Sequence, residues 1–294
     1  MKFEFIADQA GLKEFPIDYM CRMLGVTRQG YYQWKNRGPS QHERDDSALK
    51  SRIRALFEFH KKRYGVRRIH AELLRGGERV AYKRVQRLMR EMGLVSVHPR
   101  PWRRTTIAAA VPSELPDLVG REFVPDAPDT LWYGDITYVR TWAGWAYIAS
   151  VIDGYSRKVV GWAIADHMRT ELVTAALGMA IAQRKPAGGV IFHADRGSQY
   201  TSAEFVGFCA DREVRNSVGR TGICYDNAAA ESFWATLKKE FIHLHPFDTL
   251  AKLRRETFEY IEGYYNLTRI HSSLGYMTPV EYEEEYVNQN TSAA

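Results

Sequence analysis

A cluster of prolines divides this chain into two parts with different patterns. Six of its eleven prolines fall within residues 99–128. Proline lacks a backbone N–H donor and biases the residue before it away from the helical conformation, so helices and central strands rarely run through such a stretch. We therefore predict a linker at residues 99–128, with separately folding regions at residues 1–98 and 129–294.

The charge balance changes sign at the same place. Residues 1–110 contain 24 Lys and Arg against 11 Asp and Glu, a net charge of +13. Residues 111–294 contain 17 against 24, a net charge of −7. A basic part joined to an acidic part is typical of a nucleic-acid-binding region beside a region of different purpose. An ordinary solvated basic surface is the alternative, which the 20-charge asymmetry makes the weaker interpretation.

The cysteines and the apolar runs bear on where the chain works. Cys21, Cys209 and Cys224 are odd in number and widely spaced, which argues against a disulfide framework and favours the reducing cytoplasm. Their simplest interpretation is as small buried apolar residues. No run of 18 apolar residues occurs, and the N-terminus lacks the apolar stretch of a signal peptide, so we expect no membrane span.

The patterns in residues 1–98 are helical. A helix at residues 17–24, the turn at Gly25 and a helix capped by Thr27 suggest a helix-turn-helix. A longer helix is predicted at 43–62, and a second helix pair at 67–75 and 80–92. The second pair carries basic side chains that we predict to contact DNA, chiefly by neutralising phosphates: Arg67, Arg68, Lys83, Arg84, Arg87 and Arg90.

The patterns in residues 129–294 alternate between strands and helices. The predicted strands lie at 131–140, 144–153, 158–166, 189–194 and 214–218. The predicted helices lie at 170–183, 202–213, 227–242 and 250–265. This order predicts an α/β layer fold with a mixed sheet, preceded by an all-α region.

Three carboxylates occupy special places in this pattern. Asp135 lies in the middle of the first strand, Asp195 directly follows a strand, and Glu231 lies in the first turns of a helix. Each has an ordinary interpretation when taken singly: a salt bridge, a turn cap or a solvated helix residue. Together they supply carboxylates from three different elements, as two Mg²⁺ ions require in phosphoryl transfer.

A lysine accompanies the third acid. Lys238 follows Glu231 by seven residues, two helical turns, and therefore lies on the same side of the helix. It could hold a substrate phosphate beside the carboxylates. A plain surface lysine is the alternative, and the sequence leaves the two open.

The sequence motifs around these acids resemble those of a known family. Residues 132–138 (WYGDITY), 193–200 (HADRGSQY) and 225–233 (YDNAAAESF) are similar to the three acid motifs of transposases from two-reading-frame insertion sequences. Thirty-five residues separate Asp195 from Glu231, as in the DDE triad that these transposases share with retroviral integrases. Residues 24–34, 64–69 and 264–279 also resemble the family's helix-turn-helix region and closing segment.

The resemblance implies a ribonuclease-H-like integrase core in which Asp135, Asp195 and Glu231 bind two Mg²⁺, with Mn²⁺ able to substitute. It implies DNA cleavage and strand transfer at element ends, without a covalent protein–DNA link. The implied partners are element ends and target DNA, at least a second copy of the chain on DNA, and the first-frame protein of the element.

Several alternatives remain beside this resemblance. The chain could be a non-catalytic DNA-binding regulator of the element, or a related nuclease that does not join strands. The histidines of residues 1–110 lack the spacing of zinc ligands, so we expect no structural zinc. We expect His193 to be structural, and we expect four tryptophans to fill the sheet core: Trp132, Trp142, Trp145 and Trp162.

Overall fold

The structure is a computed structural model that describes residues 1–12, 14–97, 115–219 and 228–291. The chain forms two compact units, residues 1–61 with 72–95 and residues 62–71 with 96–294. Residues 62–71 belong to the sheet-containing unit because their side chains bond within it, as when the Tyr64 hydroxyl accepts from the Ile270 N–H at 2.8 Å. Residues 99–114 of the predicted linker lie outside the described residues, and the domain boundaries stay a prediction.

The first unit is helical, and its helices begin at the residues that can cap them. Its elements are α1 (Lys2–Leu12), α2 (Ile17–Met23), α3 (Arg28–Asn36), α4 (Gln41–Phe59), the end of α5 (Val66–Arg75) and α6 (Tyr82–Glu91). The Thr27 side chain accepts from the Gly30 N–H, and Ser40 forms a capping box with Glu43. Helices α1 to α3 enclose a small core of Ile6, Met20, Cys21 and Tyr31. The sequence analysis did not predict α1, which buries only Ile6.

The second unit is built on a five-stranded mixed sheet. Its strands are β1 (Leu131–Thr141), β2 (Gly144–Asp153), β3 (Val159–Ala165), β4 (Ile191–Ala194) and β5 (Arg215–Val218). Their order is β3-β2-β1-β4-β5, in which β1 to β3 are antiparallel neighbours and β4 runs parallel to β1 and β5. The predicted mixed α/β sheet and all five predicted strands are confirmed, with shifts of a few residues at their ends.

Helices cover both faces of this sheet. They are α7 (Thr170–Arg184), α8 (Ser198–Thr201), α9 (Ala203–Ala210), α10 (Ala228–Glu240), α11 (Leu250–Phe258) and α12 (Pro279–Thr291), with a π-helical segment at Glu259–Tyr265. Alternate residues of β1 face opposite layers: Tyr133 packs with Phe233 of α10, whereas Trp132 packs with Leu177 of α7. No helix within the described ranges is both long enough and apolar enough to span a membrane.

The tryptophan prediction was wrong for two of the four residues. Trp132 is fully buried and Trp162 packs against the core, as expected. Trp142 is 81% exposed and Trp145 is 48% exposed. They lie at the β1–β2 hairpin, where β1 extends beyond its pairing with β4. Of the three cysteines, Cys21 and Cys209 are buried as predicted, and Cys224 lies outside the described residues.

Candidate active site

The register between β1 and β4 places the two aspartates side by side. Leu131 pairs with Ile191 and Tyr133 pairs with His193 in a parallel ladder. Two further residues along both strands lead to Asp135 and Asp195, which directly follows the last residue of β4. Neighbouring strands lie about 4.8 Å apart, so this register brings the two carboxylates to one place at the end of the short strand.

A glycine makes this close pairing possible. A Cβ atom on Gly134 would lie 2.1 Å from the ring carbon Cζ of Phe192, far inside van der Waals contact. The Phe192 ring crosses β1 at this position and packs against Tyr200 and Phe205. Gly134 therefore lets the aromatic core of one sheet face reach the backbone beside Asp135, which explains why a glycine precedes the aspartate.

Glu231 and Lys238 approach the same place from α10. The pKa of Asp135 is raised from 3.8 to about 7, chiefly by burial and then by the charges of Asp195 and Glu231. The Ile136 N–H, which donates to Asp135 Oδ1 at 2.7 Å, and the Lys238 ammonium lower it. The charges of both other carboxylates and of the lysine thus act on Asp135.

The carboxylates suit a divalent cation by their chemistry, although they are not gathered around one. In the part of the chain that the structure describes, no three His, Cys, Asp or Glu side chains stand close enough to enclose a metal ion. Asp195 Oδ1 accepts from the Gly197 N–H at 3.0 Å, and Glu231 is exposed in the first turn of α10. Carboxylate oxygens are the ligands that Mg²⁺ prefers, and a cation would relieve the repulsion that raises the pKa of Asp135.

The other residues of the acid motifs support the site. His193 is buried, and its Nδ1 lies 2.9 Å from Ser217 Oγ on the neighbouring β5. Ser217 Oγ also accepts from the Leu118 N–H at 2.9 Å. These contacts link β4 to β5, in keeping with the structural role expected of His193. Residues 225–227 of the third motif lie outside the described residues.

The predicted DNA contacts fall into three groups. Arg67 and Lys83 are exposed. Arg84 and Arg87 are each engaged by Asp46 of α4, at 2.7 and 2.6 Å, so both stabilise the packing of α6 on α4. Asp46 is the residue that the sequence analysis missed, because nothing local to residue 46 indicates a partner in α6.

Arg68 and Lys238 lie in the sheet-containing unit. Arg68 is half-buried, with its Nη1 3.4 Å from Glu240 Oε1. The Lys238 Nζ lies over the ring of Tyr138, 5.6 Å from its centroid, beside the carboxylates. Both side chains therefore make specific contacts within this unit, whereas the sequence alone also allowed them to be solvated surface residues.

Comparison with known proteins agrees with this architecture. The integrase core domain matches residues 125–224 and again residues 212–279, and an HTH-like domain matches residues 43–102. Transposase InsF for insertion sequence IS3A of Escherichia coli (strain K12) is 37% identical over 287 residues, which cover 97% of this chain and 99% of the relative. The transposase for insertion sequence element IS904 of Lactococcus lactis is 38% identical over 249 residues, which cover 85% and 98%.

This chain belongs to the insertion-sequence transposases with an integrase core. Its fold is accordingly the ribonuclease-H-like core of that family, preceded by a helical region with an HTH-like domain. The HTH-like match covers α4 to α6, and the first predicted helix-turn-helix, α2 with α3, precedes it. A solved structure, the HTLV-2 integrase catalytic core domain in complex with magnesium (dimeric form), is 16% identical, covers 54% of this chain and 98% of that chain, and has a TM-score of 0.42.

Proposed function

We propose that this chain is a transposase that cuts and joins DNA strands at the ends of an insertion sequence. Asp135, Asp195 and Glu231 would hold two Mg²⁺ ions, for which Mn²⁺ can substitute. The observation that supports this most directly is the parallel β1–β4 register, which sets Asp135 beside Asp195 while the charge of Glu231 reaches Asp135.

The chemistry divides between the ions and the chain. When bound, two divalent ions activate the attacking oxygen and stabilise the leaving oxygen in phosphoryl transfer. Asp135 would position its oxygens from the central strand of the sheet, and a strand holds a side chain more precisely than a loop does. Lys238, beside Asp135, would bind a phosphate oxygen of the strand being cut. No serine or tyrosine nucleophile is required.

The remaining partners follow from the reaction. Two DNA ends must be held together, so we expect at least a dimer on DNA, and the first-frame protein of the element is a further expected partner. Arg67 and Lys83 are exposed and available for phosphates, while Arg84 and Arg87 would contact DNA only alongside Asp46. We expect the chain to act in the bacterial cytoplasm.

A strand-joining assay in Mg²⁺ tests this function, with labelled DNA ends from the encoding element. The variants are Glu231→Gln and, as a matched control, Glu256→Gln in α11. Joined product from the wild type and the control alone would support the proposal. Product from Glu231→Gln as well would remove Glu231 from the metal site. DNA binding without product from any protein would favour the regulator, and the same assay with the fused first-frame protein would show whether that module is required.

A further inference from the structure

A second polar pocket lies beside the carboxylate site in the same unit. It has a volume of about 300 Å³. It is lined by Arg68 of α5, by Phe123, and by residues of β1, β2 and the turn after β2, of α10, and of the segment 265–273. The side chains that matter for its chemistry are three arginines, one histidine and three serines: Arg68, Arg157, Arg269, His271, Ser232, Ser272 and Ser273.

The pocket lies on the opposite side of α10 from the carboxylates. At 3.6 residues per turn, Glu231 and Lys238 share one side of the helix. Phe233 and Thr236, which line the pocket, and Glu240 at the end of the helix share the other side. The pocket is therefore a separate site, and what binds there is not the group held by the acids.

The region around the pocket has more positive charge than its acid can neutralise. Glu240 is buried, and Arg269 donates to both of its oxygens, at 2.8 and 2.9 Å. Arg68 Nη1 is 3.4 Å from the same carboxylate, and Arg63 Nε donates to the Glu240 backbone carbonyl at 2.9 Å. The Glu240 carboxylate thus contacts two guanidinium groups, and its backbone carbonyl accepts from a third, so three arginines share one acid. Buried charge without a counterion is costly, so such an excess favours an anionic ligand.

Arg157 adds a fourth guanidinium group. Within the described ranges it has no acidic partner. The turn that carries Arg157 is held by hydrogen bonds to a fully buried carboxylate. Asp153 Oδ1 accepts from the N–H groups of Tyr155 and Ser156, at 3.0 and 2.9 Å. Arg157 itself adopts a left-handed backbone conformation, with φ of 62°. The guanidinium is therefore presented to the pocket by a constrained turn.

The histidine of the pocket lies in a positive electrostatic potential. Burial and the charges of Arg269, Arg68 and Arg157 lower the pKa of His271 from 6.5 to about 2. The imidazole therefore stays neutral, and it stacks edge-on against Tyr265 at 5.0 Å between centroids. Ser232 and Ser273 are exposed at the rim, where their hydroxyls can donate to an oxyanion.

We propose that this pocket binds a phosphate group of a DNA strand, at a position other than the phosphodiester that is cut. Arginine forks, hydroxyls and a neutral imidazole are the groups that contact phosphate oxygens in DNA complexes. The phosphate can be an internal phosphodiester or a 5′-terminal phosphate. The inference rests on the proposed function, because that function makes DNA the substrate.

DNA binding by the full chain without divalent metal tests the proposal, since binding alone does not require the metal site. Fluorescence anisotropy with labelled oligonucleotides over a range of KCl concentrations would compare the wild type with Arg157→Gln, Arg157→Lys and Arg212→Gln. Arg212 is the matched control, because it is an exposed arginine beside α9, on the opposite face of the sheet.

We expect Arg157→Gln to bind about tenfold to a hundredfold more weakly than the wild type, as for a lost hydrogen bond to a charged group. The slope of log K against log salt should fall by about 0.7–0.9, the value for one phosphate contact. Arg157→Lys should keep the slope, and Arg212→Gln should match the wild type. A preference for 5′-phosphorylated over 5′-hydroxyl DNA that disappears in Arg157→Gln would identify a terminal phosphate, and the loss of slope without such a preference would identify an internal one.

Ser273→Glu provides a second variant that leaves the Arg157 turn intact, and its carboxylate at the rim should weaken binding to a similar degree. If the wild type binds DNA while Arg157→Gln and Ser273→Glu match Arg212→Gln in affinity and slope, the pocket does not bind phosphate, and the proposed function is untouched. If the wild type binds no DNA, both proposals fail together.

Discussion

The two sides of α10 have opposite electrostatic problems. On one side, the charges of Asp195 and Glu231 raise the pKa of Asp135, and the Lys238 ammonium lowers it. On the other side, several arginines surround the single carboxylate of Glu240. One helix thus separates an excess of negative charge from an excess of positive charge.

The charge on each side of α10 is stabilised in a different way. The acidic side lies at the end of β4, where Asp195 and Glu231 reach solvent, so water can screen them until a cation binds. The basic side is buried, and its charges are held by direct hydrogen bonds to Glu240 and by aromatic faces, such as Tyr264 4.4 Å from the Arg63 guanidinium. We infer that acids on the first side serve chemistry and arginines on the second serve binding and stability.

The largest expected effect is on chemistry. Asp195→Asn should lower strand joining by at least about a hundredfold to a thousandfold, because a carboxylate that stabilises the reacting charges is lost. DNA binding without metal should be unchanged or slightly tighter, since one repulsive charge is removed. Joining and anisotropy assays on the same preparation measure both. A loss of DNA binding as large as the loss of joining would contradict the inference that the acids serve chemistry and the arginines serve binding.

The next effect is on stability at the arginine side. Glu240→Gln should destabilise the protein by about 3–5 kcal/mol, because it leaves buried guanidinium groups without their counterion. Asp248→Asn is the control: Asp248 pairs with Lys252 at 3.1 Å but is 62% exposed, and such pairs contribute about 0–1 kcal/mol. Urea unfolding compares the two. Equal small changes would show that the Glu240 cluster is not a structural centre.

A substitution at the acidic side is expected to change stability in the opposite direction, by stabilising the metal-free protein. Burial and like charges raise the pKa of Asp135 to about 7, so the ionised carboxyl destabilises the metal-free fold. This penalty is absent below pH 3.8, grows as the pH rises to about 7 and is complete above it. Asp135→Asn should therefore stabilise the metal-free protein by about 1–3 kcal/mol at pH 8 and by less at pH 5. Thermal unfolding without and with Mg²⁺ measures it, and a destabilised variant at pH 8 would contradict the repulsion.

The smallest expected effect is the part of the pH dependence of stability that comes from His271 on the arginine side. His271 has a folded-state pKa near 2, while in the unfolded chain it titrates near 6.5. The unfolded state therefore gains a proton first, and stability falls as the pH drops below 6.5, by up to about 1.4 kcal/mol per pH unit. His271→Gln should remove this part of the pH dependence between pH 6.5 and 5.5. An unchanged dependence in the variant would mean that His271 is not buried in a positive field.

Much of this protein could be predicted locally. The strands at 144–153 and 159–165 and the helix capped by Thr27 follow from alternation and capping, which depend on neighbours along the chain. The acid triad stays a prediction, which rests on its motifs and on the strand ends visible in the pattern. The helix α1 was missed because it buries only Ile6, and the exposure of Trp142 was missed because residue type alone does not reveal the end of a sheet.

The sequence by itself determined the family and the α/β pattern, and it carries the motifs from which we predict the three acids, because each of these depends on short segments of the chain. Only the tertiary structure decided that Asp135 lies beside Asp195, that Arg84 and Arg87 bind Asp46, and that Arg157 lines one pocket with Arg68 and Arg269. Strand register, ion pairing and burial depend on residues far apart in the chain, and it is their packing in three dimensions that sets the charge around each group.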